Sequence, residues 1–352
     1  MRLAIVFLST LVPGFAQQQP DITDLQVFRE SVNIVIAPTT VTNRDGSLAS
    51  GLKPHQFKLF DNNKEQDVKV DIAYQPISVV IAIQCDGSMT DVLPKLKGLG
   101  SILEGQILGE KGQAAVIAFD HRLRVVQEWT SDSKPINEAV AKLKPGSSSH
   151  AMVDAVTQAA RMLNKRPADS RRVLLLIGET QDKGSEGRVR EALTALQFAN
   201  VSYYALNVNR LVKALNAKAP PPRPDPIPST ARHGPNGSMP DPTSVAQYTG
   251  AYNGNVVPVF VEIFKQAKAI FIDNPTEVFS RYTGGKEYSF ISQKELERAV
   301  LDIGEELHTQ YLLSYNPNNK LEGGFHEIRV EIDRPELKVR TRPGYWMAGK
   351  PE

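Results

Sequence analysis

The chain has 352 residues, enough for about two domains, and 41% of them are hydrophobic and 23% charged. That composition excludes a fully disordered, collagen-like or coiled-coil chain. Lys and Arg total 41 against 39 Asp and Glu, which argues against a dedicated nucleic-acid binder. The one cysteine, Cys85, excludes an intramolecular disulfide and a zinc site built on paired thiolates.

Arg2, the apolar run 3–12 and the small residue Ala16 predict a signal peptide over 1–16 and a secreted or periplasmic protein. The run is shorter than the roughly 20 apolar residues of a membrane span, and no later stretch supplies one. Over 25–72, Val27, Val32, Ile34 and Ile36 alternate as in a half-buried strand. Turn signals follow at Asn43-Arg44-Asp45-Gly46 and Asp61-Asn62-Asn63, and Val68, Val70 and Ile72 alternate again. This reads as a small all-β unit with hairpins.

From Pro76 the rhythm changes. The apolar runs 78–83, 114–119, 173–177 and 201–208 suit strands buried on both faces. Between them lie stripes at helical spacing: Ile136, Ala139, Val140 and Leu143; Ala151, Ala155, Val156, Ala159 and Leu163; Val189, Ala192, Leu193 and Leu196. Buried strands alternating with helices predict an α/β fold, a doubly wound parallel sheet with helices on both faces. The Pro-rich stretch 217–243 predicts an extended, flexible insert.

Asn274-Pro275 reads as an N-cap with Pro in the first turn, and Thr283-Gly284-Gly285 as that helix's end. Residues 296–307 form another helical stripe, and strand patterns return at 310–315, 325–332 and 337–342. The two flanking β segments are too short to be stable alone. They are expected to combine as one discontinuous β domain, 24–72 plus 309–346, around a domain spanning 76–308. Arg171-Arg172 is read as a solvent-facing strand start, Cys85 as a small buried residue, His121 as solvated, and Trp129 and Trp346 as packing residues.

Four stretches then carry a resemblance: residues 41–46 with 51–61, residues 76–89, Tyr282-Thr283-Gly284-Gly285, and residues 310–317 with 339–345. In this order the chain resembles bacterial von Willebrand factor type A (VWFA)-related proteins of the acidobacterial type, over nearly all of its length after residue 16. The resemblance implies a Rossmann-like sheet with a metal-ion-dependent adhesion site in its loops. There a divalent ion is held by an Asp-x-Ser-x-Ser loop, a Thr and a further Asp, with one position open for a partner's carboxylate. Such an ion wants hard oxygen ligands in octahedral geometry.

This chain departs from that pattern. The first loop reads Gln84-Cys85-Asp86-Gly87-Ser88-Met89, with Gln84 at the leading Asp and Asp86 at the first Ser; Ser88 is kept. His150 stands at the Thr, four residues before Asp154, and Glu179 at the later Asp. A second register, Asp86-Gly87-Ser88-Met89-Thr90, fits Asp-x-Ser-x-Thr and makes Asp86 the leading carboxylate. Three readings of Gln84, Asp86, Ser88, His150 and Glu179 follow. The site is vestigial, with His150 paired to Asp86 or Glu179 in place of a metal. Or it is an altered metal site, in which the imidazole favours Mn²⁺ or Zn²⁺ over Mg²⁺. Or Ser, His and Asp act in hydrolysis. The leading expectation is an exported, non-catalytic protein-interaction module with an unknown protein ligand and no cofactor. The alternative is an exported Mn- or Zn-type enzyme or metal sensor.

Overall fold

The computed structural model describes residues 34–71, 75–208, 274–319, 322 and 324–347. The signal-peptide reading over 1–16, the strand residues Val27, Val32 and Ile72, and the Pro-rich stretch 217–243 lie outside these residues.

The elements run β1 (Val35–Thr42), β2 (Phe57–Asp61), β3 (Lys64–Gln66), β4 (Val68–Asp71) and β5 (Ile77–Gln84). A short helix α1 (Leu99–Leu103), β6 (Gln113–Phe119), β7 (Leu123–Thr130), α2 (Ser133–Ala141) and α3 (Met152–Asn164) follow. Next come β8 (Arg171–Gly178), α4 (Val189–Phe198), β9 (Val201–Val208), α5 (Pro275–Thr283), β10 (Glu287–Phe290) and α6 (Gln293–Thr309). The chain closes with β11 (Tyr311–Tyr315), β12 (Gly324–Ile332), β13 (Lys338–Arg340) and β14 (Gly344–Met347).

Six strands form the central sheet in the order β10-β9-β8-β5-β6-β7. All neighbours pair in parallel except β6 and β7. The strands of this sheet explain themselves: every residue of β5 and of β9 is buried, as a strand covered on both faces requires. Val79, Ile81 and Ile83 of β5 join Val300 and Ile303 of α6 and Ile136 of α2 in one core. Val80 and Ala82 point the other way, against Val156 of α3, Leu196 of α4 and Phe279 of α5. Each fully buried Val, Leu, Ile or Phe contributes about 1.5–3 kcal/mol of transfer free energy. Helix ends follow the sequence. Asn274 accepts from Glu277 N with Pro275 in the first turn, and Gly284 at φ 78° stops α5. Ser292 and Glu295 form a reciprocal capping box at the start of α6.

The outer strands pair across the length of the chain. One small sheet runs β13-β1-β11-β4 and the other β14-β12-β2-β3, so each interleaves strands from before and after the central sheet. Val35 lies opposite Tyr315 and Leu59 opposite Val330. The β2–β3 hairpin turns on Asn62 and Asn63, both at positive φ (47° and 62°), the conformation of the hairpin turn that suits strand twist. A buried cluster joins the two sheets. Asp61, fully enclosed, accepts from Tyr315 Oη and Tyr345 Oη at 2.8 Å each. It also accepts from Asn319 Nδ2 at 3.0 Å and His326 Nδ1 at 2.6 Å.

Two expectations are corrected here. In β1 the face buried without exception is Val35, Ala37, Thr39 and Val41, while Ile34 is 58% exposed and Ile36 half-buried. The predicted alternation is therefore one residue out of phase. Arg171 is not at a solvent-facing edge. β8 is flanked on both sides by β5 and β9, and the buried Arg171 guanidinium donates to Leu307 O and Gln310 Oε1 at the end of α6. A charge at a strand start is covered whenever a helix ends over it, which local patterning does not reveal.

Candidate functional site

β5 lies between β8 on one side and β6 on the other, the reversal of strand order beyond which doubly wound sheets bind ligands. Gln84 is its last residue and is fully buried. Its Oε1 accepts from Glu179 N at 2.7 Å, tying the ends of β5 and β8 together. Its Nε2 donates to Asp86 Oδ1 at 3.1 Å and Ser88 Oγ at 3.2 Å, and lies 3.2 Å from His150 Nδ1. Gly178 makes room for this amide: a Cβ there would sit 2.5 Å from Gln84 Oε1.

After Gln84 the chain enters a single turn, Gly87–Met89, capped by Asp86. Asp86 Oδ1 accepts from Ser88 N at 3.0 Å and Ser88 Oγ at 2.6 Å. His150 arrives from the loop before α3, is fully buried, and places Nδ1 2.7 Å from Asp86 Oδ2. Its Nε2 meets Gln181 O at 2.6 Å. Glu179 is buried at the end of β8, with Lys183 Nζ at 3.8 Å from its Oε2. The structure thus brings together all five residues singled out in the sequence. Burial alone would raise the Asp86 carboxyl, but hydrogen bonds from Ser88, His150 and Gln84 outweigh it and leave it below the ordinary carboxylate value. Burial pushes the neighbouring Cys85 thiol up to about 12, so it is not a reactive thiolate.

Two aspartates outside the predicted set fasten the loops. α3 has no side-chain cap of its own. Asp182 supplies one from the loop after β8, accepting from Met152 N at 2.7 Å and Val153 N at 3.2 Å. In return, Asp154 on α3 accepts from Glu186 N at 3.0 Å and Gly187 N at 2.8 Å. Capping contacts of this kind contribute about 1 kcal/mol each. The sequence signal was an uncapped helix start opposite a loop that carries Asp182, visible only once the two are known to be neighbours.

The donor set decides what the site can hold. Asp86, His150 and Glu179 each bring a ligand atom within 4.8 Å of the others, close enough to surround an ion. The orientation of their neighbours opposes one. Where the resemblance places a carboxylate, Gln84 turns its NH₂ inward. Both of its hydrogens are taken by Asp86 and Ser88, so the contact of His150 Nδ1 with the ionised Asp86 requires an N–H on the ring. Both ring nitrogens of His150 are engaged, by Asp86 Oδ2 and by Gln181 O, so an ion would have to break one of these contacts to take the ring as a ligand. The set does not fit Mg²⁺, which demands near-ideal octahedral oxygen geometry. Ser88 Oγ donates to Asp86 Oδ1, which is not the nucleophile–base contact of a hydrolytic triad.

The von Willebrand factor type A domain profile matches residues 80–181, the span that holds all five site residues. Among solved structures, BatB from Bacteroides thetaiotaomicron is similar at 19% identity and TM-score 0.40, covering 66% of this chain and 97% of that one. An aerotolerance-related membrane protein from Bacteroides fragilis NCTC 9343 aligns at 19% identity and TM-score 0.37, over 65% of this chain and 99% of that one. The vWF domain of a type V pilus tip protein from Porphyromonas gingivalis aligns at 13% identity and TM-score 0.28, over 31% and 40%. No curated relative matches the sequence. No described helix is long and apolar enough to cross a membrane. The match at 80–181, laid on a largely parallel six-stranded sheet with helices on both faces, identifies a von Willebrand factor type A domain in this chain.

Proposed function

We propose that the protein is an exported, non-catalytic interaction module that engages a protein ligand on the loops at the carboxyl ends of β5 and β8, without a divalent ion. One observation carries the reading: the Gln84 amide and the His150 ring already engage the Asp86 and Ser88 oxygens at the centre of the site. Ser88 is half-buried beside them, and Thr90, Asp91 and Ser148 are exposed around it, a polar rim suited to a protein surface. Export rests on the charged start, apolar run and small residue of 1–16.

Calorimetry with MgCl₂ tests the metal half of the reading, and no isotherm is expected at millimolar ion. A one-site micromolar isotherm abolished by Asp86→Ala would defeat it. Capture from an envelope fraction in EDTA tests the other half. A protein retained by the wild type and lost with Thr90→Arg supports the reading; capture that requires added Mn²⁺ or Zn²⁺ replaces it. That second reading, a Mn- or Zn-type enzyme or sensor, is favoured by the 4.8 Å grouping of Asp86, His150 and Glu179.

A further inference from the structure

Charge is spread unevenly over the loops at the carboxyl end of the central sheet. On the β6 side two loops meet, the β6–β7 tip at 120–122 and the segment 142–151 between α2 and α3. Ala151 N donates to Asp120 O at 2.7 Å and Gly146 N to Cys85 O at 2.6 Å. A Cβ on Gly146 would lie 2.1 Å from Asp120 Oδ2, so glycine lets the second loop close over the first. Asp120 is buried at this junction and shapes the tip. Its Oδ1 accepts from Arg122 N at 2.7 Å and has His121 Nδ1 at 3.2 Å, while the Arg124 guanidinium lies 3.7 Å from its Oδ2. Over 119–127 and 139–151 every exposed ionisable side chain is a basic one: His121, Arg122, Arg124, Lys142 and Lys144.

We propose that this junction is an electrostatic docking face for an acidic segment of a partner protein, with Arg122 and Lys144 as its principal contacts. The inference rests on the interaction-module reading and gives the partner a chemistry. Asp120 partly offsets Arg124, and the exposed Glu138 lies one turn below Lys142 on α2. Arg122 and Lys144 have no ion-pair partner among the described residues. Like charges on two touching loops repel one another, and opposite charges on a partner turn that repulsion into steering and specificity. The face is also held in shape before anything binds, by Asp120 beneath it and by the main-chain bonds between the loops, which lowers the ordering cost of association. Gly87 N donates to Ser147 O at 2.8 Å, so the face is continuous with the rim around Ser88, where the first loop adds one exposed carboxylate, Asp91. Partner carboxylates are met here by guanidinium and ammonium N–H groups directly, away from Asp86 and Glu179. Two unpaired cations suit a short run of carboxylates better than a lipid phosphate surface, which takes a basic cluster of about 4–8 Lys or Arg. The balance of 41 basic and 39 acidic residues disfavours a nucleic acid.

Fluorescence anisotropy of the full-length protein in EDTA, with labelled poly-L-glutamate as the probe, tests the face. Binding is expected at low salt. It should weaken by about tenfold or more as the ionic strength rises from about 0.01 to about 0.15 M, where the screening length falls from about 30 to about 8 Å. Arg122→Glu combined with Lys144→Glu should also weaken it by about tenfold or more. Lys69→Glu combined with Lys338→Glu makes the same change in net charge at exposed positions of the β13-β1-β11-β4 sheet. That pair should alter the affinity by less than about twofold, because its charges are screened from the loops. Equal losses in the two pairs, or no binding by the wild type, overturn the inference. Tighter binding of polyphosphate or of phosphatidylglycerol vesicles, lost with the same Arg122 and Lys144 changes, overturns it as well and makes the face a phosphate site. If the reversed pair fails to fold, Arg122→Gln with Lys144→Gln takes its place, and full affinity in that variant overturns the inference. The two readings fail separately. An envelope protein that the Arg122 and Lys144 variant still captures, and Thr90→Arg loses, sinks the acidic-partner inference alone. A micromolar MgCl₂ isotherm sinks the metal-free reading alone.

Discussion

Two buried Asp–His pairs occupy opposite settings in this molecule. Asp86–His150 lies beneath the loops at the carboxyl end of the sheet and Asp61–His326 lies between the two small β-sheets, with separations of 2.7 and 2.6 Å. Both imidazoles are fully enclosed. The second ring nitrogen separates them. His150 Nε2 meets a carbonyl, while His326 Nε2 has no hydrogen-bond partner among the described residues. Asp61 is held by three further donors, two of them tyrosines, and the whole group is buried. Asp86 shares its oxygens with a serine that is half-exposed. The same dyad is a joint between sheets in one place and lies under a loop cluster at the carboxyl end of the central sheet in the other. The partner of the far nitrogen, more than the dyad itself, tells which.

The largest effect should come from breaking the joint. Asp61→Leu leaves two tyrosine hydroxyls, an imidazole N–H and an amide without their acceptor in a fully buried site. Removing one partner of such a group costs about 3–5 kcal/mol, read as a lower urea midpoint. A cost under about 1 kcal/mol would mean the cluster is not a joint. Asp86→Leu should cost less, about 1–3 kcal/mol, because Ser88 can turn to water; equal costs would erase the distinction.

Acid sharpens the comparison. Burial raises both carboxyls, but hydrogen bonds, led by His326 and Asn319 at Asp61 and by Ser88 and His150 at Asp86, hold each below its ordinary value. A depressed folded-state value means the stabilisation is present above the unfolded-chain value of about 3.9. It is lost as the pH falls through the lower folded-state value. Urea midpoints measured from about pH 5 down to pH 2 should therefore fall less steeply in Asp61→Asn and in Asp86→Asn than in the wild type. A variant that keeps the full wild-type slope would remove that carboxylate from the account. The smallest effect belongs to Lys183→Ala. Its side chain is 43% exposed, with Nζ 3.8 Å from Glu179 Oε2, so the loss should be a few tenths of a kcal/mol.

Much of the central domain was legible because its signals are local. Unbroken apolar runs marked β5, β6, β8 and β9, helical stripes marked α2, α3 and α4, and Asn274-Pro275 with Gly284 bounded α5. Strands β7, β10 and β14 were not foreseen; they are short or half-exposed and carry no clean alternation. Gln84, Asp86, Ser88, His150 and Glu179 were found through a resemblance to a loop pattern, and their convergence follows from the sheet's order. Gln181 was out of reach because it acts through its main-chain carbonyl. His326 and Asp61 lie 265 residues apart, and Asp61 reads in sequence as the first residue of a turn. No local pattern reports that its side chain is the acceptor for four donors that come after residue 310.

That separation has a consequence for how the chain is made. Tyr315 and Tyr345 lie 254 and 284 residues after Asp61, and chains emerge at about 5–20 residues per second. The first four strands therefore wait roughly ten seconds to a minute for the segments that complete their sheets. Through that interval β1 and β2 have open edges, the condition that invites pairing with other chains. Any chaperone that meets this protein during synthesis has its client surface at the front of the molecule, and a chain cut short before residue 311 never closes it.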